Sequence, residues 1–180
     1  MDALIIVDMQ EGAIGSSNKY DTLGIIERIN LLSKKIRSDK GIVIFIQHDG
    51  TTEENLKPYT QGWKIIQLLQ QNSPNEKADI IIRKTQNDAF YQTDLHETLR
   101  KNHVNHLIIT GWATDFCVDT TIKSALSKDY IITVAEDCHT ASDRPLMSAP
   151  DVIQYFNWLW KNMLPTGAIN VKSSQDILKH

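Results

Sequence analysis

The chain has 180 residues, of which 41% are hydrophobic and 23% charged, and its formal net charge is −3. This length allows one domain with a sizeable core but not two ordinary domains, so we expect a single domain over residues 1–180. The mildly acidic charge argues against a nucleic-acid or anionic-membrane partner, and no apolar stretch approaches the ~18 residues of a membrane span. Two cysteines are too few for a disulfide framework, which favours a reduced, cytoplasmic setting.

Six short apolar runs, in chain order, predict the strands of a sheet. They are rich in Ile and Val and do not alternate with polar residues, which is typical of strands buried on both faces. The runs are Ala3–Val7, Ile42–Ile46, Asp79–Ile82, Leu107–Thr110, Tyr130–Val134 and a weaker one, Ala168–Val171.

Helical patterns lie between these runs. Three apolar stripes follow the helical period: Ile25, Ile29, Leu32 and Ile36; Val118, Ile122 and Ala125; Val152, Phe156, Leu159 and Met163. Strands that alternate with helices predict βαβ units with right-handed crossovers. The expected fold class is α/β, a three-layer α/β/α arrangement with a six-stranded, mostly parallel sheet flanked by helices.

Polar or reactive residues stand at or just after the predicted ends of five strands: Asp8, His48–Asp49, Lys84, Gly111–Cys117 and Asp137–His139. In open α/β sheets, ligands bind in the crevice outside the carboxyl ends of the strands. Two long loops, Asp49–Thr60 and His139–Pro145, are predicted at the same edge. We therefore expect the functional site there.

Cys117 lies in the first turn of a predicted helix, in the segment TGWATDFCVDTT, with Thr114 as the expected N-cap. A thiol in this position faces unpaired N–H groups and the positive end of the helix dipole. Both favour the thiolate, which is the nucleophile. The alternative is a buried structural cysteine, and position alone does not decide between them. We expect Cys138 to be a packing residue.

Asp8 and Lys84 are the candidate partners of this thiol. Asp8 can take the thiol proton and later deliver it to a leaving amine, although a turn or capping role is the alternative. An ammonium at Lys84, close to the sulfur, would lower the pKa of the thiol; the alternative is that Lys84 is a solvated surface charge. Strand alternation directs the neighbouring Arg83 to the opposite face of the sheet. Backbone N–H groups around Ala113 and at the nucleophile can stabilise an oxyanion. Together these groups fit covalent acyl transfer.

Four segments resemble the isochorismatase-like cysteine hydrolase family, which includes nicotinamidases, N-carbamoylsarcosine amidase and isochorismatases. ALIIVDMQ is similar to the first strand of the family with its D-x-Q ending, and KTQNDAFYQTDL to its lysine segment. GWATDFCVDTT is similar to the nucleophile segment T-[DE]-x-C, and VAEDCHTASDRP to the segment after the fifth strand. The resemblance extends from about Ala3 to Trp160.

The resemblance implies a catalytic triad of Asp8, Lys84 and Cys117 on a six-stranded parallel sheet. It also implies a cis peptide bond between Trp112 and Ala113, which orients the N–H groups of Ala113 and Cys117 as an oxyanion hole. Trp112 is bulkier than the small aliphatic residue that the family pattern has at this position.

The sequence departs from the metal-binding members of the family. Nicotinamidases bind a metal through an Asp-x-His pair after the second strand, whereas here Asp49 is followed by Gly50 and Thr51. We therefore expect no metal. No dinucleotide or P-loop motif is present either, so we expect no organic cofactor. Isochorismatases lack the metal too, so this departure does not choose between amide and vinyl-ether cleavage.

Eight residues in or near the predicted edge are candidates for substrate binding. Four are aromatic, with core packing as the alternative, and four are polar, with Gln10 and Thr114 expected to orient the Asp8 carboxylate and the substrate amide. The candidates are Gln10, His48, Trp63, Phe90, Trp112, Thr114, Phe116 and His139. A broad stripe of C-terminal aromatic residues predicts a homo-oligomer interface: Tyr155, Phe156, Trp158, Leu159 and Trp160.

The expected function is a metal-independent cysteine hydrolase that cleaves a small amide-like C–N bond in a small-molecule substrate through a thioester. Within enzymes, the alternative is an isochorismatase-type vinyl-ether hydrolase. The alternative from another class is a non-catalytic binding or redox module that uses Cys117 and Cys138. The presence of Asp8, Lys84 and Cys117 together favours an enzyme.

Overall fold

The computed structural model describes residues 1–15, 19–69, 71, 79–165 and 167–179. A six-stranded sheet lies at its centre, in the order β3-β2-β1-β4-β5-β6. Every neighbouring pair of strands is parallel. The strands are β1 (Asp2–Val7), β2 (Ile42–His48), β3 (Ile80–Lys84), β4 (His106–Trp112), β5 (Ile131–Thr140) and β6 (Ile169–Lys172). The predicted parallel α/β sheet is thus confirmed.

Helices cover both faces of the sheet, as the α/β/α prediction requires. Their bounds are α1 (Glu11–Ile14), α2 (Thr22–Ser38), α3 (Leu95–Lys101), α4 (Asp119–Leu126), α5 (Ala149–Lys161) and α6 (Ser174–Leu178). One core layer lies under α2 and α6, and the other lies under α3, α4 and α5. The predicted stripe of α2 is buried along its whole length, because its apolar residues recur on the face toward the sheet.

Three helices were not predicted, and each is short. α3 buries only Leu95 and Leu99, one helical turn apart, and two apolar positions are too few to indicate a helix in the sequence.

None of the helices that the structure describes is long and apolar enough to cross a membrane.

β5 is longer than its apolar run. The sequence predicts a strand that ends at Val134, but the strand continues to Thr140. Asp137–His139 therefore lie within it rather than just after its end, and the predicted loop His139–Pro145 loses its first two residues to the strand. The pairing of β4 with β5 shifts between Ile109 and Gly111, and beyond this irregularity Gly111 pairs with His139. Pairing with the end of β4 therefore stabilises the second half of β5. The apolar run in the sequence does not indicate this pairing.

Trp160 joins two helices of the same layer. It is 0% exposed, and its indole Nε1 donates a hydrogen bond of 2.9 Å to Asp119 Oδ1 on α4. Trp158, two residues earlier on α5, is 59% exposed. The predicted aromatic stripe is thus divided between core and surface, since only one face of α5 can pack on the sheet.

We expect Trp160→Phe to lower the free energy of unfolding by about 2 kcal/mol, because it leaves a buried carboxylate oxygen without its donor and removes part of a packed side chain. The matched control, Trp158→Phe, should change it by no more than about 0.5 kcal/mol. Urea unfolding of the three proteins measures both effects. Equal effects of the two substitutions would contradict the contribution of the hydrogen bond.

Candidate active site

The sheet order places a crevice between β1 and β4. The chain adds β2 and β3 on one side of β1 and then returns to β4 on its other side, so the loops after β1 and β4 diverge. The two strands approach closely here at Gly111, whose φ is +117° and where a Cβ would lie 2.2 Å from the Val7 carbonyl oxygen. Only glycine fits this position. Asp8 follows β1 directly, and Cys117 follows β4 on a π-helical segment, Thr114–Val118.

A buried ion pair lies in this crevice. Lys84 Nζ is 2.7 Å from Asp8 Oδ2, and the two side chains are 0% and 4% exposed. The same ammonium donates to the Gln86 carbonyl oxygen at 2.9 Å and lies 3.3 Å from Cys117 Sγ. The structure thus brings the three residues of the expected triad together around one lysine nitrogen.

Asp8 is arranged to accept a proton. Burial raises the pKa of the Asp8 carboxyl, and the charge of Lys84 opposes this only in part. Its Oδ1 is buried and has no hydrogen-bond partner among the described residues, whereas Oδ2 belongs to the ion pair. Asp8 also interacts with the Cys117 thiol. A basic carboxylate with an unused oxygen beside a thiol is a candidate general base.

The thiol is neutral at rest, which corrects the expectation of a preformed thiolate. Burial raises the pKa of Cys117 to about 12, and the negative charge of Asp8 contributes to the increase. Lys84 lowers this pKa, but its charge is already paired with Asp8, so it does not prevail. Near neutral pH, attack by the sulfur on a bound carbonyl therefore needs a base to take the thiol proton, and Asp8 is the adjacent one.

The backbone just before the nucleophile offers an N–H donor without a partner among the described residues. The Trp112–Ala113 peptide bond is cis. Ala113 is buried, and its carbonyl accepts hydrogen bonds from the N–H groups of Phe116 and Val118 at 3.1 Å. Its own N–H donates to no residue that the structure describes. Because buried N–H groups are nearly always bonded, this N–H is available for an oxygen of a bound substrate.

Asn87 was missed by the sequence analysis. Its Oδ1 lies 3.6 Å from Cys117 Sγ, and the side chain is exposed at the mouth of the crevice. The only signal was its place three residues after Lys84, in the lysine segment.

Thr114 and His139 bond to each other instead of lining the crevice. Both are buried, and Thr114 Oγ1 is 2.8 Å from His139 Nδ1. Asn157 Nδ2 donates to the Glu136 carbonyl, so its Oδ1 accepts from His139 Nε2 at 3.0 Å and Nδ1 is the acceptor of the Thr114 hydroxyl. Thr114 therefore does not act as the expected N-cap, and neither side chain is exposed to a substrate. The chain of hydrogen bonds instead fixes the nucleophile segment to α5.

Gln10 holds the end of β2 rather than the Asp8 carboxylate. Its Oε1 accepts from the His48 N–H at 2.8 Å, and its Nε2 donates to the carbonyl oxygens of His48 and Trp63 at 3.0 and 2.8 Å. Both ends of the amide are thus occupied by backbone groups, and the role expected for Gln10 is corrected accordingly. His48 Nδ1 lies 3.4 Å from Lys84 Nζ. Burial and the lysine charge lower the pKa of His48, so a neutral imidazole faces the ammonium.

The residues beside β2 do not fit the metal site of the family. The Asp49 carboxylate lies 2.6 Å from the Arg83 guanidinium and accepts a hydrogen bond of 2.7 Å from Trp63 Nε1. Within the described part of the chain, no three His, Cys, Asp or Glu residues are grouped so that they could hold an ion. Arginine is the cation that pairs with Asp49.

The other aromatic candidates are divided between core and surface. Phe90 is buried and stacks on Tyr130 with ring centroids 6.0 Å apart, so it packs in the core. Trp112 is half-buried beneath the ammonium of Lys19. Phe116, next to the nucleophile, is 49% exposed and lies beneath Arg144. Of these three side chains, Trp112 and Phe116 are at the edge of the sheet.

Comparison with known proteins gives consistent matches. The family model of the isochorismatase domain matches residues 2–149. Streptothricin hydrolase of Streptomyces noursei is 28% identical over 153 residues, which are 84% of this chain and 53% of the relative, so the chain spans about half its length. The ureidoacrylate amidohydrolase RutB of Variovorax paradoxus (strain S110) is 31% identical, with 87% and 77% of the two chains covered. A crystal structure of an isochorismatase family protein superposes with a TM-score of 0.84 at 29% identity, covering 96% of this chain and 98% of that one.

The charges around Cys117 predict how its reactivity changes with pH. Wild-type alkylation by iodoacetamide should rise by about tenfold per pH unit from about pH 7 to about pH 10, without a plateau, because the thiol pKa is about 12. Asp8→Asn removes the negative charge and should speed alkylation at about pH 8, whereas Lys84→Met should slow it. Mass spectrometry of the peptide that contains Cys117 measures the alkylation rate in each protein.

Cys138 is the internal control for this experiment. It is fully buried, and burial raises its thiol pKa strongly, so it should stay unmodified in all three proteins. Slower alkylation of Asp8→Asn, or a wild-type plateau near the ordinary thiol pKa of ~8.5, would contradict the neutral resting thiol.

The buried position of His139 leads us to expect that the free energy of unfolding decreases in acid. Burial lowers its pKa to about 4, whereas an unfolded histidine titrates near ~6.5. As the pH falls from ~6.5 to ~4, only the unfolded chain takes up this proton, so the free energy of unfolding decreases by about 3 kcal/mol. His139→Asn should lack this part of the pH dependence in urea unfolding, and His103→Asn, at an exposed position, should keep it. Parallel pH profiles for wild type and His139→Asn would contradict the neutral buried imidazole.

Proposed function

Because the chain belongs to the isochorismatase domain family, we propose that it is a metal-independent cysteine hydrolase that cleaves a small amide-like C–N bond through a thioester. One observation carries the proposal. A buried ammonium, that of Lys84, lies 2.7 Å from a carboxylate and 3.3 Å from a thiol. A base, a cation and a nucleophile in direct contact are the groups that covalent acyl transfer needs.

The names of the relatives agree with this chemistry. One is named as a ureidoacrylate amidohydrolase and the other as a streptothricin hydrolase. An amidohydrolase breaks a C–N bond, and this chain has the thiol with which to do so at the edge of the sheet.

Attack by Cys117 begins the reaction. Asp8 takes the thiol proton on its unpaired oxygen while the sulfur bonds to the substrate carbonyl carbon. The carbonyl π electrons move to the oxygen, and the resulting oxyanion accepts hydrogen bonds from the N–H groups of Ala113 and Cys117. Lys84 stays beside both groups, so the total charge in the crevice does not change as the proton moves.

Collapse of this intermediate releases the amine. The protonated Asp8 donates its proton to the leaving nitrogen as the C–N bond breaks, which leaves a thioester on Cys117. Asp8 then takes a proton from water, whose oxygen attacks the thioester carbon. The C–S bond breaks, the sulfur recovers a proton, and the acid product leaves. At this stage the departing thiolate is stabilised by Lys84, 3.3 Å from the sulfur.

The redox alternative has less support. Cys138 packs under α2 in one core layer, whereas Cys117 packs against the layer on the opposite face of the sheet. Two thiols on opposite faces are poorly placed to form a sensing pair. Vinyl-ether hydrolysis remains the alternative within enzymes. It differs from the proposed reaction because it does not require attack by the thiol.

Substitution of the nucleophile tests the proposal. On a panel of primary amides and ureides with ammonia detection, Cys117→Ala should lower turnover by at least about a thousandfold. Acid-quenched wild type should carry the acyl group on the Cys117 peptide. The control Cys138→Ala should keep turnover within severalfold. Full turnover by Cys117→Ala would contradict the thioester route and favour the vinyl-ether alternative.

A further inference from the structure

Lys19 lies at the same edge of the sheet as the nucleophile. The chain at Lys19–Tyr20 is fixed to the end of β5, because Thr140 Oγ1 donates to the Tyr20 carbonyl at 2.7 Å and Lys19 Nζ donates to Ser142 Oγ at 2.8 Å. The ammonium lies 4.3 Å from the centroid of the Trp112 ring. Since Trp112 precedes Ala113, this cation is beside the segment that carries the nucleophile.

Lys19 has no carboxylate partner among the described residues. Its hydrogen bond to Ser142 uses one ammonium proton. Partial burial lowers the pKa of Lys19, and the neighbouring positive charge of Arg144 lowers it further. A partly desolvated cation beside a second cation is costly unless an anion comes to it.

The nearby carboxylates have other partners. Asp115 is bound by two nitrogens of Arg144, at 2.6 and 2.8 Å. Glu11 lines the same cavity as Lys19, and its Oε1 accepts from the Gln67 N–H at 3.2 Å. Lys19, Arg144 and Asp115 together carry one net positive charge, and Glu11, although it lines the same cavity as Lys19, forms no ion pair with it.

Aromatic rings flank this charge. Trp112 is half-buried beneath Lys19, and the exposed Phe116 lies beneath Arg144, whose guanidinium carbon is 5.0 Å from the ring centroid. Two aromatic rings and two cations, of which only Arg144 has a carboxylate partner, thus lie close to the segment that carries the nucleophile, and a small organic anion could contact them.

We propose that Lys19 binds a carboxylate of the substrate, so that the amide attacked by Cys117 belongs to a small anionic molecule. The inference rests on the proposed function, because it names the substrate class of the same site. Lys19 is then a specificity-determining residue. If it served only to pack on Trp112, a neutral side chain of equal length would replace it without effect on binding.

Protection of Cys117 from iodoacetamide tests this without requiring turnover. The probes are malonamate, succinamate and glutaramate, each compared with the neutral amide in which an isopropyl group replaces the carboxylate. In wild type, at least one anionic amide should slow alkylation at a concentration about tenfold lower than its neutral partner. Lys19→Met keeps the length and apolar stem of the side chain and should reduce this preference to about twofold or less.

Two further variants complete the experiment. Lys19→Gln keeps a donor for Ser142 and removes the charge, so it should lose the preference as well. Lys34→Met removes an exposed charge from α2 and should keep the preference. The proposal is overturned if wild type shows no anion preference at any chain length, including no protection at all. It is also overturned if Lys19→Met and Lys19→Gln retain the preference.

The outcome is separable from that of the proposed function. Protection that depends on Lys19 without ammonia release from any amide would support the anion site and count against amide hydrolysis. Ammonia release that depends on Cys117, with no anion preference, would support the hydrolase and overturn the role of Lys19.

Discussion

The buried ion pair between Asp8 and Lys84 is the constraint on which the site depends. Removing two charges from water costs several kcal/mol for each ion, and only close pairing offsets this cost. Their strands, β1 and β3, are not neighbours, because β2 runs between them and separates them by roughly 10 Å. The lysine side chain therefore has to cross the end of β2, where its ammonium passes His48 at 3.4 Å. Only a long, flexible side chain such as that of lysine can span this distance from β3 to Asp8. The parallel sheet directs it toward Asp8, because the ends of β1 and β3 lie at the same edge.

The pair also determines the protonation of the thiol. Lys84 would favour a thiolate if it were the only charge nearby, but burial and the opposing charge of Asp8 outweigh its effect on the pKa of Cys117. In a buried place with little net charge, the neutral thiol is the stable form. The same arrangement makes Asp8 a better base, because burial raises its pKa and leaves Oδ1 without a donor. Nucleophile and base are thus adjacent and can exchange one proton, and the total charge of the group stays constant.

The sequence predicts the convergence of Asp8, Lys84 and Cys117, because apolar runs of a parallel sheet end at the same edge and the residues that follow them must meet there. The family matches confirm the resemblance on which the family assignment rests. The protonation of the thiol was not predictable, since it depends on burial and on which charges pair. The positions of Thr114 and His139 were not predictable either. They follow from the continuation of β5 to Thr140, which pairing with β4 stabilises and local apolar pattern does not indicate.

The distribution of charge along the edge of the sheet separates two regions. At the ends of β1, β2 and β3, two cations have an anion of their own: Lys84 pairs with Asp8, and Arg83 with Asp49. At the ends of β4 and β5, Arg144 is paired with Asp115, whereas no carboxylate of the described residues pairs with Lys19. The first region can move a proton without changing its net charge, as covalent chemistry on a neutral amide requires. The second has a positive charge to offer a substrate, and it adjoins the segment that holds the nucleophile. Since the chain as a whole is acidic, an anionic substrate would be drawn to this edge by the local cation and not by the net charge of the protein.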